Sequence, residues 1–140
     1  MAAESVGTSL LFQNDHVRVW EMVLPPGASC RPHRHDHDYL MLYTTPSVIA
    51  ATLDDGRPVL QYLDPGMVAY RAVGAAGLGP HAITNAGQET SHHFVVELLG
   101  PSTTSTALPP EHNGRGRTEF PRRLEGGQRQ GGAPGGASRG

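Results

Sequence analysis

Short apolar blocks, each closed by a turn signal, constrain this chain more than any other feature of its sequence. The segment from Val17 to Leu24 alternates apolar and polar residues and stops at Pro25, Pro26 and Gly27. Leu10 to Gln13, Arg31 to Tyr43, Ser47 to Leu53, Val59 to Leu63, Met67 to Arg71, His81 to Asn85 and His92 to Leu99 read the same way. Asp54, Asp55 and Gly56 form a hairpin signal, and Asp64, Pro65 and Gly66 form another. Val73 to Pro80 is rich in glycine and reads as a loop able to close as a lid. No segment of the body carries a convincing helical period. Short strands with frequent turns predict an all-β sandwich or closed barrel.

Composition divides the chain. Residues 10–101 hold the strand blocks and form the expected domain, with residues 1–9 as an N-terminal arm. Residues 102–140 are Ser, Thr, Pro, Gly, Arg and Gln with few aliphatics, so they cannot bury enough apolar surface to offset their ordering entropy. A disordered C-terminal tail is expected there. Charge follows the same boundary: residues 1–99 carry five Arg against ten acidic residues, and residues 100–140 carry six Arg against three Glu. Six Arg spread over such a tail are a thin footprint for nucleic acid, and no nucleic-acid partner is expected. Cys30 is the single cysteine, which suits a reducing compartment. With no export signal and no span of membrane length in view, the expectation is a cytoplasmic protein with no membrane partner.

Eight histidines are many for such a domain, and their placement matters more than their number. His33 and His35 alternate on one strand, so both imidazoles point to one face. A third histidine from a distant strand would complete a compact set for one divalent transition metal, and neutral imidazole suits Fe, Zn, Ni, Cu or Mn.

The sequence from Gly27 to His35 places a glycine, five residues and His-x-His in order, and His81 to Asn85 reads His-x-x-x-Asn. These two motifs, over roughly residues 10 to 100, resemble those of the cupin superfamily. The resemblance implies a single jelly-roll barrel with His33, His35 and His81 as metal ligands. It also exposes a departure. The acidic ligand expected after His35 falls at Tyr39, a poor ligand at neutral pH, so the chain resembles the three-histidine branch. Asp36 or Asp38 remains able to reach the metal if the strand bulges, although Asp38 has the opposite parity.

His37 shares the inward parity of the pair and is expected at the pocket mouth. His37 and Tyr39 are the candidate catalytic residues, as hydrogen-bond or proton donors. Met41, Tyr43, His92 and His93 are candidate pocket residues, with one of the last two facing inward. Leu40 and Leu42 lie on the outer face and suggest a covered surface, most simply a homodimer interface. Cys30, by parity, points away from His33. The resemblance implies a small-molecule substrate and favours a non-haem Fe(II) dioxygenase, with Zn, Ni or Mn as alternative metals. A non-redox cyclase, isomerase or lyase is the second reading, and a ligand-binding cupin without turnover is the third.

Overall fold

The computed structural model describes residues 5–53, 55–101 and 111–121. Among them there is no helix, and hence none long and apolar enough to cross a membrane. Twelve strands follow in order: β1 (Ser9–Gln13), β2 (Val17–Leu24), β3 (His33–His35), β4 (Tyr39–Tyr43), β5 (Ser47–Thr52), β6 (Pro58–Leu63), β7 (Val68–Arg71), β8 (Leu78–His81), β9 (Thr84–Asn85), β10 (Ser91–Leu98), β11 (Glu111–His112) and β12 (Gly116–Glu119).

A six-stranded sheet runs β1-β2-β10-β4-β7-β11 and a four-stranded sheet runs β12-β6-β5-β9, while β3 and β8 form a separate pair. Alternation explains the long strands. In β2, Trp20, Met22 and Leu24 are buried while their neighbours are half-buried; in β10, Ser91, His93, Val95 and Glu97 are buried. The inward residues of the two sheets meet: Tyr43 and Ala69 from the first pack with Ile49 and Leu63 from the second. Met41 joins this cluster to another built on Val6, Trp20, Tyr39, Val73 and Val95. The turn before β7 needs Gly66, whose φ of 82° lies in the left-handed region that a side chain disfavours.

Four expectations need correction. Arg31 to Tyr43 is not one strand, because β3 pairs with β8 whereas β4 pairs with β7 and β10; the chain changes sheets at residues 36–38. The loop from Val73 to Pro80 is shorter than expected, since Leu78 opens β8 and the backbone N–H of buried Val73 donates to Asp38 Oδ1 at 2.8 Å. Within the N-terminal arm, Val6 is buried against the core and Ser9 already belongs to β1.

The tail expectation fails at residues 111–121, where β11 pairs with β7 and β12 with β6. Little apolar burial drives that pairing. Hydrogen bonds do: the backbone N–H of Asn113 donates to the Val68 carbonyl at 3.1 Å and that of Asp64 to the Arg115 carbonyl at 3.2 Å, the Asn113 side-chain amide donates to the Gly66 carbonyl at 3.0 Å, and Arg117 lies 3.9 Å over the Tyr62 ring. Residues 102–110 and 122–140 of the expected tail lie outside the described residues.

Candidate metal centre

β3 carries His33 and His35 on one face, and β8 brings His81 directly opposite His33. His33 and His35 are buried, and His81 is half-buried. The three Nε2 atoms converge at 3.2 Å (His33 to His35), 3.1 Å (His35 to His81) and 3.2 Å (His81 to His33).

This triangle fits a metal ion better than it fits hydrogen bonds. His33 Nδ1 lies 2.9 Å from the Arg31 carbonyl, so its proton belongs there and its Nε2 presents a lone pair. Burial, then the neighbouring charges of His81, His33 and Arg71, hold the His35 imidazole down at about 3, so that ring is neutral. Its single proton satisfies one of the contacts if it sits on Nε2. If it sits on Nδ1, that buried nitrogen has no acceptor among the described residues. Whatever the tautomers, at least one of the three contacts sets like against like, lone pair to lone pair or N–H to N–H, and a cation shared by three lone pairs relieves all of them together. An ion about 2.0–2.1 Å from each imidazole nitrogen requires nitrogens about 2.8–3.4 Å apart for angles between octahedral and tetrahedral. The observed spacings lie in that range. His33, His35 and His81 are also the cluster of metal-ligating groups found among the described residues.

The elements around the triangle hold it in place. Gly79, with a φ of 112°, lets β8 approach so closely that a Cβ there would meet the His33 carbonyl oxygen at 2.9 Å. Arg34 donates to the Gly79 carbonyl at 2.7 Å and fastens the two strands. Tyr39 stacks on His35 with ring centroids 4.0 Å apart and planes 17° from parallel, which fixes that imidazole. Asn85, fully buried, donates to the carbonyls of Leu24 and Glu89 and so shapes the turn beyond His81.

The imidazoles open onto a cavity of about 370 Å³ inside the barrel. Its walls include Met22, Ile49, Val59 and Ile83, with Gln61 and Arg71 as polar additions. Tyr39, Met41, Tyr43 and His93 also line it. His93 is buried and stacks on Tyr43 at 4.3 Å; burial, then the nearby His92 and His33, hold its imidazole at about 3, while burial pushes the Tyr43 phenol up.

Other candidates lie elsewhere. His92 faces outward, its Nε2 2.6 Å from Glu21 Oε1 and its Nδ1 bonded to Thr44. It is not a pocket residue, because the register of β10 on β2 puts His93 beside buried Met22 and turns its neighbour away. His37 is half-buried outside the cavity lining, because the chain leaves β3 before it. Asp38 is buried but outside the cavity lining, and it serves structure: it accepts from the Tyr70 hydroxyl at 2.7 Å and from Val73. Asp36 is exposed. Cys30 Sγ comes to 3.9 Å from His33 Nδ1, nearer than parity suggested, but that nitrogen already serves Arg31.

No family model matches the sequence, and no curated protein does either. Among solved structures, a cupin domain from Bordetella pertussis Tohama I is similar, at 24% identity over 64% of this chain and 88% of that one, with a TM-score of 0.56. A variant of oxalate decarboxylase from Bacillus subtilis matches at 22% identity over 64% of this chain and 22% of that one, with a TM-score of 0.45. The formate complex of Lactobacillus farciminis oxalate decarboxylase matches at 20% identity over 64% and 25%, also with a TM-score of 0.45.

Proposed function

The chain has the cupin fold, and we propose that its three-histidine cluster holds one divalent metal and makes it an enzyme acting on a small organic molecule. The reading favoured is a non-haem Fe(II) dioxygenase. One observation carries it: three imidazole nitrogens converge at 3.1–3.2 Å on a cavity walled largely by apolar side chains.

Fe(II) held there supplies the one-electron chemistry that lets O2 react with a closed-shell organic molecule. The chain's residues do the rest. His33, His35 and His81 present the donors, with His33 oriented by the Arg31 carbonyl and His35 by the Tyr39 ring. Met22, Ile49, Val59 and Ile83 keep the cavity walls apolar and exclude water. Tyr39 is placed to orient a bound molecule beside His35.

General acid–base chemistry is served less well by the same lining. A proton-transfer residue works best with a pKa near the operating pH. His93 is held at about 3 and the Tyr43 phenol is pushed up, so neither is poised to exchange a proton near neutrality. For His93 and Tyr43 that contrast favours the oxidative reading over a cyclase, isomerase or lyase.

The test is turnover by protein loaded with Fe(II) or with Zn, assayed by oxygen uptake against enediols and β-diketones. Uptake by the iron form alone is expected. Product formed at an unchanged rate without O2 would replace this reading with the non-redox one, and ligand binding without turnover by either form would leave a binding protein.

We also propose that a second copy of this chain covers the outer face of the six-stranded sheet. The register places Phe12, Val19, Val96, Leu40 and Tyr70 in one row across five strands, and Phe94, Leu42 and Val68 in the next. Phe12 is 54% exposed, on an edge strand whose Leu10 and Leu11 are also exposed. Glu21 and His92 on this face are bonded to each other within the chain, and Glu111 stands opposite Tyr70 at the far edge, so the apolar rows between them suit a self-complementary partner.

A further inference from the structure

Arg71 ends β7 and, by the alternation that buries Ala69, faces the barrel interior. It pairs with Tyr39, the residue stacked on His35, and lines the same cavity as His33, His35 and His81. Arg18 is bound to Glu97, Arg34 to the Gly79 carbonyl and Arg57 to Asp55. The Arg71 guanidinium, though half-buried, makes no ion pair or side-chain hydrogen bond among the described residues.

A half-buried guanidinium presents several donors in a planar fork that matches a carboxylate. Nothing in the described lining neutralises it. The triangle offers imidazole nitrogens, and the one carboxylate of the described lining, Asp55, is exposed and bound to Arg57 at 2.7 Å. The cavity is therefore cationic with or without a metal.

We propose that Arg71 is the anion-recognition residue of this cavity and that the substrate is a small organic anion, a carboxylate or enolate with a second oxygen donor beside it. The charged end meets the guanidinium, and the second oxygen faces the three imidazoles. The second contact rests on the metal-centre reading given above; the first does not.

Salicylate and salicylamide separate these contacts, because they share a shape and a hydroxyl while one is an anion and the other neutral. Calorimetric titration of each into full-length protein, metal-free and iron-loaded, is compared with Arg71→Gln and Arg71→Lys. Loss of the bidentate charge contact should weaken salicylate about ten- to hundredfold in Arg71→Gln and leave salicylamide within about twofold. Arg71→Lys should recover part of the loss, and metal content and melting temperature should match the parent. Anion preference that survives in a protein unable to take up metal would sink the metal reading and keep Arg71. The proposal is overturned if salicylate does not bind the parent, or if both probes bind the parent equally. It is also overturned if Arg71→Gln lowers the melting temperature while salicylate binding is unchanged, since Arg71 would then be structural.

Discussion

Metal-free protein should lose stability steeply as pH falls below about 6.5, and His93 should account for a separable share of that loss. His93 is buried against Tyr43 and held at about 3, whereas an unfolded histidine titrates near 6.5. Below about 6.5 the unfolded chain gains a proton that the folded chain refuses, so stability rises with pH between about 3 and about 6.5. The slope is about 1.4 kcal/mol per pH unit for one such group, and integrating from pH 7 to pH 5 gives a loss of about 2 kcal/mol. His35, also held at about 3, adds a loss of the same sign in the absence of metal. Replacing His93 by Phe keeps a ring beside Tyr43 and removes the titration. Urea melts of both proteins in excess chelator, from pH 7.5 to pH 5, measure the effect. The difference between parent and variant should shrink or grow by about 2 kcal/mol across that range, always in favour of His93→Phe at the acid end. A difference independent of pH would refute the assignment of His93 as a neutral, buried group.

Three further outcomes follow from the geometry. Gly79→Ala forces a Cβ to within 2.9 Å of the His33 carbonyl oxygen at a φ of 112°, so metal affinity should fall about ten- to hundredfold in chelator competition. Asn113→Ala removes the bond to the Gly66 carbonyl and the acceptor of the Val68 N–H, and should cost about 1–2 kcal/mol in urea melts without changing metal content. Phe12→Glu combined with Leu42→Glu should convert a dimer to a monomer by light scattering; a parent protein that is monomeric at all concentrations would reject the second-copy proposal.

Much of this fold could be read from the chain because alternation is local. Val17 to Leu24 and Ser91 to Leu98 each carry their own buried face, and His33 with His35 inherit a shared face from the same rule. What escaped was set by distant pairing. Nothing within Arg31 to Tyr43 announces that β3 joins β8 while β4 joins β10, and that exchange decides that His37 leaves the cavity and Asp38 is buried against Tyr70 and Val73. His92 and His93 are alike in sequence and are separated only by register against Met22. β12, written Gly-Arg-Thr-Glu, has almost no apolar signal because it is held by backbone bonds along the edge of β6. Arg71 left no mark because an arginine ending a strand is ordinary until the cavity around it is known.

Metal stoichiometry decides whether His33, His35 and His81 act together as one site. Protein prepared without a histidine tag, incubated with Fe(II), Zn or Ni and desalted, should retain about one ion per chain by elemental analysis. His35→Ala and His81→Ala should each reduce that to a small fraction while the β-rich circular dichroism persists. Retention near zero in the parent, or unchanged retention in both variants, would mean that the three imidazoles hold no metal.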